Sequence, residues 1–146
     1  LNAIGYRIQQ VVDAFGDNTK WKWSFVEIDG RYAVVTKNII DYRDAIANND
    51  PRKPYYVENL TLMRMVREQL DKASRRYREK YEQTTKETED IKKSIAFIAA
   101  IRRIMILMGQ GEEANKYKRI MELANNLMEE NIRKKEAEKK TPQKKK

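Results

Sequence analysis

The longest apolar stretch of the chain runs from Ile91 to Met108, IKKSIAFIAAIRRIMILM, and from Ile95 onward its only charged residues are Arg102 and Arg103. A helix that is apolar nearly all round is either wrapped by other elements or crosses a membrane. Crossing takes about 20 apolar residues. This run is shorter and carries two adjacent arginines, so it predicts the central, buried helix of a soluble protein. Upstream, Leu1, Ile4, Ile8, Val11, Val12 and Phe15 recur at three- and four-residue spacings, an amphipathic helix that Gly16 is placed to end with a positive φ. Asp17 to Lys20 reads as a short polar loop.

The period then changes. In WKWSFVEI-DG-RYAVV, Asp29-Gly30 separates two runs rich in β-branched and aromatic residues, the strongest short-range hairpin signal. A two-residue turn would put Trp21, Trp23, Phe25, Tyr32 and Val34 on one face and Val26, Ile28, Ala33 and Val35 on the other. A lone hairpin is marginal in water, so it should lie on helices or pair with another chain. Asn38 is placed to cap a short helix over Ile39–Ala47 with Ile39, Ile40 and Ile46 inward, and residues 48–54, NNDPRKP, form a turn-rich linker.

From Tyr56 to Gln83 a long helix is expected, its seam formed by Leu60, Met63, Val66, Leu70, Ala73, Tyr77 and Tyr81. Thr84 and Glu87 have capping-box spacing, which starts a new helix running to Met108. With neither Gly nor Pro between them, one continuous kinked helix is the alternative. Gly109-Gln110-Gly111 is a break, and Glu112 and Glu113 suit the positive end of a last helix. That helix has a seam of Tyr117, Ile120, Met121, Ala124, Leu127, Met128 and Ile132, and it frays into a lysine tail stopped by Thr141-Pro142. The expected fold is mainly α: an elongated helical bundle or long helical hairpin with a small N-terminal β-hairpin. Residues 1–50 hold the N-terminal helix, hairpin and short helix, residues 55–135 complete the same single domain, and residues 136–146 are a basic tail.

Composition narrows the chemistry. Apolar residues make up 40% and charged residues 36%, with five Gly and three Pro, which permits long uninterrupted helices. There is no Cys, so disulfides and thiolate chemistry are excluded, and no His, which removes the commonest acid–base group and metal ligand. No signal-peptide pattern opens the chain, and its first residue is Leu1, as in a fragment or a processed product. The formal charge is +9, but residues 133–146 hold eight Lys or Arg against two Glu, while the rest of the chain is nearly balanced.

Gly109-Gln110-Gly111-Glu112-Glu113-Ala114 matches a dinucleotide fingerprint in letters only, since a helix precedes it and two glutamates would repel a pyrophosphate. Carboxylates cluster at Glu87, Glu89 and Asp90 and at Glu129 and Glu130, but without His they read as solvated helix surface rather than a metal site. Ser24, Ser74 and Ser94 have no His to activate them. No cofactor, metal or catalytic residue is expected, and the chain reads as a non-enzyme.

The most suggestive internal stretch is KASRRYREKY, where Lys72, Arg76 and Lys80 fall on one helical face beside Arg75 and Arg78, with Arg64 and Arg67 upstream. Such a stripe can follow a phosphate backbone, or it can be a solvent face paired with Asp71, Glu79 and Glu82. Lys139, Lys140, Lys144, Lys145 and Lys146 would add to a nucleic-acid contact. Trp21, Trp23, Phe25 and Tyr32 are the expected protein interface, because aromatic residues dominate cores and interfaces. The reading is a non-enzymatic assembly protein, a scaffold or virion-type component that forms homo-oligomers or joins a larger complex. Its alternative is a sequence-nonspecific nucleic-acid binder using the stripe and tail. Location is not fixed by the sequence, with an intracellular or virion-associated setting favoured.

Overall fold

The computed structural model describes residues 1–16, 20–84 and 86–140, and among them it contains six helices and no strand. These are α1 (Asn2–Phe15), α2 (Lys22–Asn38), α3 (Tyr42–Ala47), α4 (Tyr56–Gln83), α5 (Thr88–Leu107) and α6 (Gly111–Lys140). Helix α4 is the centre, with α2 and α5 both packed along it, and α6 packs on α5. Ser74 faces Ser94 and Lys80 faces Asp90, so α4 and α5 are antiparallel. The serines sit at the crossing as small side chains: Ser94 Oγ donates to the Ser74 carbonyl at 2.9 Å, and both are buried. That placement gives them a packing role.

The seam of α4 forms the core, except for Leu60, which is exposed. Met63, Val66, Leu70 and Ala73 meet Ile101, Ile104, Met105 and Met108, with Ala33 of α2 and Ala114 of α6 closing the cluster. A second cluster joins Tyr81, Ile91 and Ala124 near the α4–α5 turn. Two helices are present over residues 56–108, not one. The turn between them places Lys86 at φ 54° and is held by α6, whose Lys135 donates to the Lys86 carbonyl at 2.8 Å. The capping box does not form, because the Thr84 hydroxyl donates back to the Lys80 carbonyl at 2.7 Å and Glu87 is itself the N-cap of α5. Nor is α5 wrapped all round: Ile98 and Ile101 are buried, whereas Ile106 and Leu107 are about half exposed. Gly16 and Gly109 end α1 and α5 at φ 74° and 73°.

The largest correction concerns residues 21–35. The expected β-hairpin is absent, and α2 runs straight through Asp29-Gly30. The residues that suggested alternation also satisfy the helical period. Phe25, Val26, Asp29, Ala33 and Thr36 fall on one side, and all are buried. Gly30 does not make a turn. A Cβ there would lie 2.7 Å from Cε2 of Tyr77, so the missing side chain lets α2 settle onto the α4 ring. Asp29 accepts Arg76 at 2.5 Å and has Lys72 Nζ 3.1 Å away, which compensates its buried charge. Strand propensity is a weak local preference, and burial against α4 overrides it.

Downstream, Asn38 ends α2, and the short helix α3 is capped by Asp41, which accepts from the backbone N–H groups of Arg43 and Asp44. Ile39 and Ile46 point outward, against expectation, and Ile40 packs on the core.

Candidate interaction surfaces

The basic row on α4 was the sharpest sequence feature, and the fold turns its central members inward. Lys72 and Arg76 reach across to Asp29 of α2, and Lys80 reaches Asp90 of α5 at 2.9 Å. Both carboxylates are buried, so the row clamps three helices together through charges removed from solvent. Arg64, Arg75 and Arg78 are paired one turn along the same helix with Glu68, Asp71 and Glu82. Arg64 and Arg67 lie in the first half of α4, beside a cavity of about 390 Å³ shared with Met105 and Met108. Lys139 is exposed on the last turns of α6, Lys140 is the last residue of that helix, and Lys144, Lys145 and Lys146 lie outside the described residues.

The four aromatic residues expected at an interface separate. Phe25 and Tyr32 are buried, Trp23 is partly buried, and Trp21 is 48% exposed with Lys20 over its ring. Tyr32 donates to the Leu1 carbonyl at 2.8 Å, and its hydroxyl lies 2.9 Å from where a Cβ on Gly5 would be. With the Phe15–Phe25 ring contact at 5.8 Å, this sets α1 antiparallel on α2.

That seating covers only part of the apolar stripe of α1. Val12 is buried, but Ile4, Val11 and Phe15 stay about half exposed. On the neighbouring edge of α2, Trp21, Ile28 and Ile39 are open too. In two antiparallel helices these edges fall on the same side of the pair, so they form one apolar face. No charged side chain interrupts the row within either helix.

A second surface lies on the other side of α2, where α2 and α5 run parallel above α4. Between them is a groove of about 750 Å³. Its floor is Tyr77 and Phe97, stacked at 5.9 Å, with Val34, Val35, Ala96 and Ala100 along the walls. Arg31 and Lys37 stand on the α2 bank, Lys93 and Arg103 on the α5 bank. The one acid, Glu27, accepts from Tyr77 at 2.6 Å and from Lys93 at 3.0 Å. The Tyr77 hydrogen bond, followed by Lys93, holds its carboxyl below the usual carboxylate range. Burial, followed by Glu27, pushes the Tyr77 phenol up. Neither Lys37 nor Arg103 is in an ion pair among the described residues.

The sequence reading missed the groove. Its four cations lie at no helical spacing within one segment, and only the parallel placement of α2 and α5 assembles them. Among the described residues, no group of His, Cys, Asp or Glu is arranged to hold a metal ion, and no helix is long and apolar enough to cross a membrane. Residues 1–132 match the profile of one protein family, the TP0443 family. No curated protein and no solved structure matches the chain.

Proposed function

The chain therefore belongs to the TP0443 family, and we propose that it is a non-enzymatic assembly protein that pairs with a second copy of itself through the α1–α2 face. The observation that carries this reading is the row Ile4, Val11, Phe15, Trp21, Ile28 and Ile39, whose members are between 41% and 62% exposed. Contiguous apolar patches of that kind mark interaction sites on soluble proteins. The occupant follows from charge. The six side chains of the row are uncharged, with Lys20 over the Trp21 ring the cation beside them, so two copies can meet across a twofold axis with their apolar side chains facing each other. The basic groove offers no such self-complementarity. A stable interface takes about 800 Å² from each partner, and six large, half-open side chains supply the apolar centre of one.

The nucleic-acid alternative has less support. Its central row, Lys72, Arg76 and Lys80, is engaged by Asp29 and Asp90, which leaves its exposed arginines and the terminal lysines to carry it.

Sedimentation velocity over a range of concentrations tests the pairing. Dimer is expected at high micromolar concentration, together with monomeric Val11→Glu and Ile28→Glu variants that keep the wild-type circular dichroism and melting profile. A wild type that stays monomeric, or variants that still pair, would refute it.

A further inference from the structure

We propose that the groove between α2 and α5 receives an acidic amphipathic helix of a partner protein. The groove runs from Glu27 and Lys93 at one end to Lys37 and Arg103 at the other, ten residues on each helix. At about 1.5 Å per residue this is a trough of about 15 Å, nearly three helical turns. Its walls are small: Val34 on one side, Ala96 and Ala100 on the other, with the Phe97 ring beneath. Small walls let a helix backbone approach closely, so the incoming element can fill the space above α4 and complete a four-helix arrangement.

The charges name its chemistry. Cations stand on both banks, and Glu27 answers only Lys93 and Arg31. Lys37 and Arg103, at the far end, are left for the ligand. A helix lying in the trough presents apolar a and d positions to the floor and its e and g positions to the two banks. Glutamates at e and g would meet the cations on both sides at once. A fatty acid would fill the floor, but its single carboxylate answers one end of the trough. A nucleic-acid strand would answer the cations but leave the apolar floor without a partner. A second copy of this chain does not fit either. Among the charged residues of its α1 only Arg7 lies beside the open apolar edge, so it brings no acidic margin.

The test uses the full chain carrying Val11→Glu, so that a failure of self-association leaves the result unchanged. The probe is a fluorescent 18-residue helical peptide with Leu at a and d and Glu at e and g, titrated by anisotropy. Controls are the same peptide with Lys at e and g, sodium oleate, and a single-stranded oligonucleotide. The Glu peptide is expected to bind, to weaken as salt rises, and to lose about tenfold in affinity with Lys37→Glu plus Arg103→Glu, two surface changes at the margin of the groove. Ala100→Trp, which fills the trough, should abolish binding. If that variant misfolds, chemical-shift changes confined to Val34, Ala96 and Phe97 on titrating the unmodified groove give the same answer. The proposal is overturned if the Glu peptide does not bind, if the charge reversals leave its affinity unchanged, or if oleate or the oligonucleotide displaces it from those residues.

Discussion

Replacing Gly30 by Ala separates the reasons for a glycine at this position. In the middle of a helix, Gly→Ala ordinarily stabilises by about 0.8–1 kcal/mol. Here the new methyl carbon would stand 2.7 Å from Cε2 of Tyr77 and 2.9 Å from its hydroxyl. The ring has little room to retreat. Its hydroxyl is held by Glu27 at 2.6 Å, its face is stacked on Phe97, and the residue is 2% exposed. Overpacking of this kind costs about 1–3 kcal/mol, so Gly30→Ala should range from nearly neutral to about 2 kcal/mol destabilising. The decisive measurement is the same substitution in a Tyr77→Leu background, where the ring atoms are gone. There the helix-propensity gain should emerge and the sign reverse, leaving a coupling of about 1–3 kcal/mol. Urea denaturation followed by far-ultraviolet circular dichroism at constant m supplies all four values. A stabilising Gly30→Ala in the wild-type background would refute the close approach. Equal destabilisation in both backgrounds would instead indicate a turn that needs positive φ whatever Tyr77 does.

Two further outcomes follow from the buried charges. Arg76→Ala should lower stability by about 1–3 kcal/mol, less than for a fully sequestered pair because Lys72 remains beside Asp29; a change below 0.5 kcal/mol would show that the row on α4 is not a clamp. The Glu27–Tyr77 pair fixes the pH limbs. Glu27 has a lowered folded pKa, so its contribution is present above the ordinary carboxylate value and is lost as pH falls through the folded one. Tyr77 has a raised folded pKa, so its contribution is whole below about pH 10 and is lost as pH rises. Urea midpoints plotted against pH should therefore fall more steeply at both ends for wild type than for Tyr77→Phe, and coincident slopes would contradict the pairing.

How much of this was legible in the sequence depended on whether a segment carried one period or two. Helix α4 begins and ends at Tyr56 and Gln83, the bounds expected from its seam and from a capping box that does not itself form. The break at Gly109 and the stop at Gly16 were equally readable, because each needs a conformation that glycine supplies cheaply. Residues 21–35 carried two periods at once. Trp, Tyr, Val and Ile favour strands locally, and Asp-Gly favours a tight turn, yet Phe25, Val26, Asp29, Ala33 and Thr36 also mark one side of a helix. The deciding facts were long-range. Asp29 can be buried only because Lys72 and Arg76 arrive from α4, and Gly30 is needed only because Tyr77 lies beneath it. The signal available in the sequence was the row of α4 cations itself. A row on the helix bearing the core seam calls for buried counter-charges, and Asp29, on the same helical face as Phe25, Val26 and Ala33, was the candidate.

The same reasoning links the two open surfaces. Helix α2 is seated by two glycine–tyrosine contacts: Gly5 of α1 against its Tyr32, and its own Gly30 against Tyr77 of α4. Each replaces a side chain with direct approach of a ring, so the rotation of α2 about its axis is set from both sides. That rotation decides which residues remain outside. It turns Ile28 and Trp21 toward the open edge of α1, and Val34 toward the alanines of α5. A hairpin here would have had two apolar faces and a free hydrogen-bonding edge. The helix instead divides its surplus apolar surface between an uncharged face and a trough with basic banks. The two therefore differ in what can cover them, and charge, more than apolar area, separates a self-pairing surface from one that waits for an acidic partner.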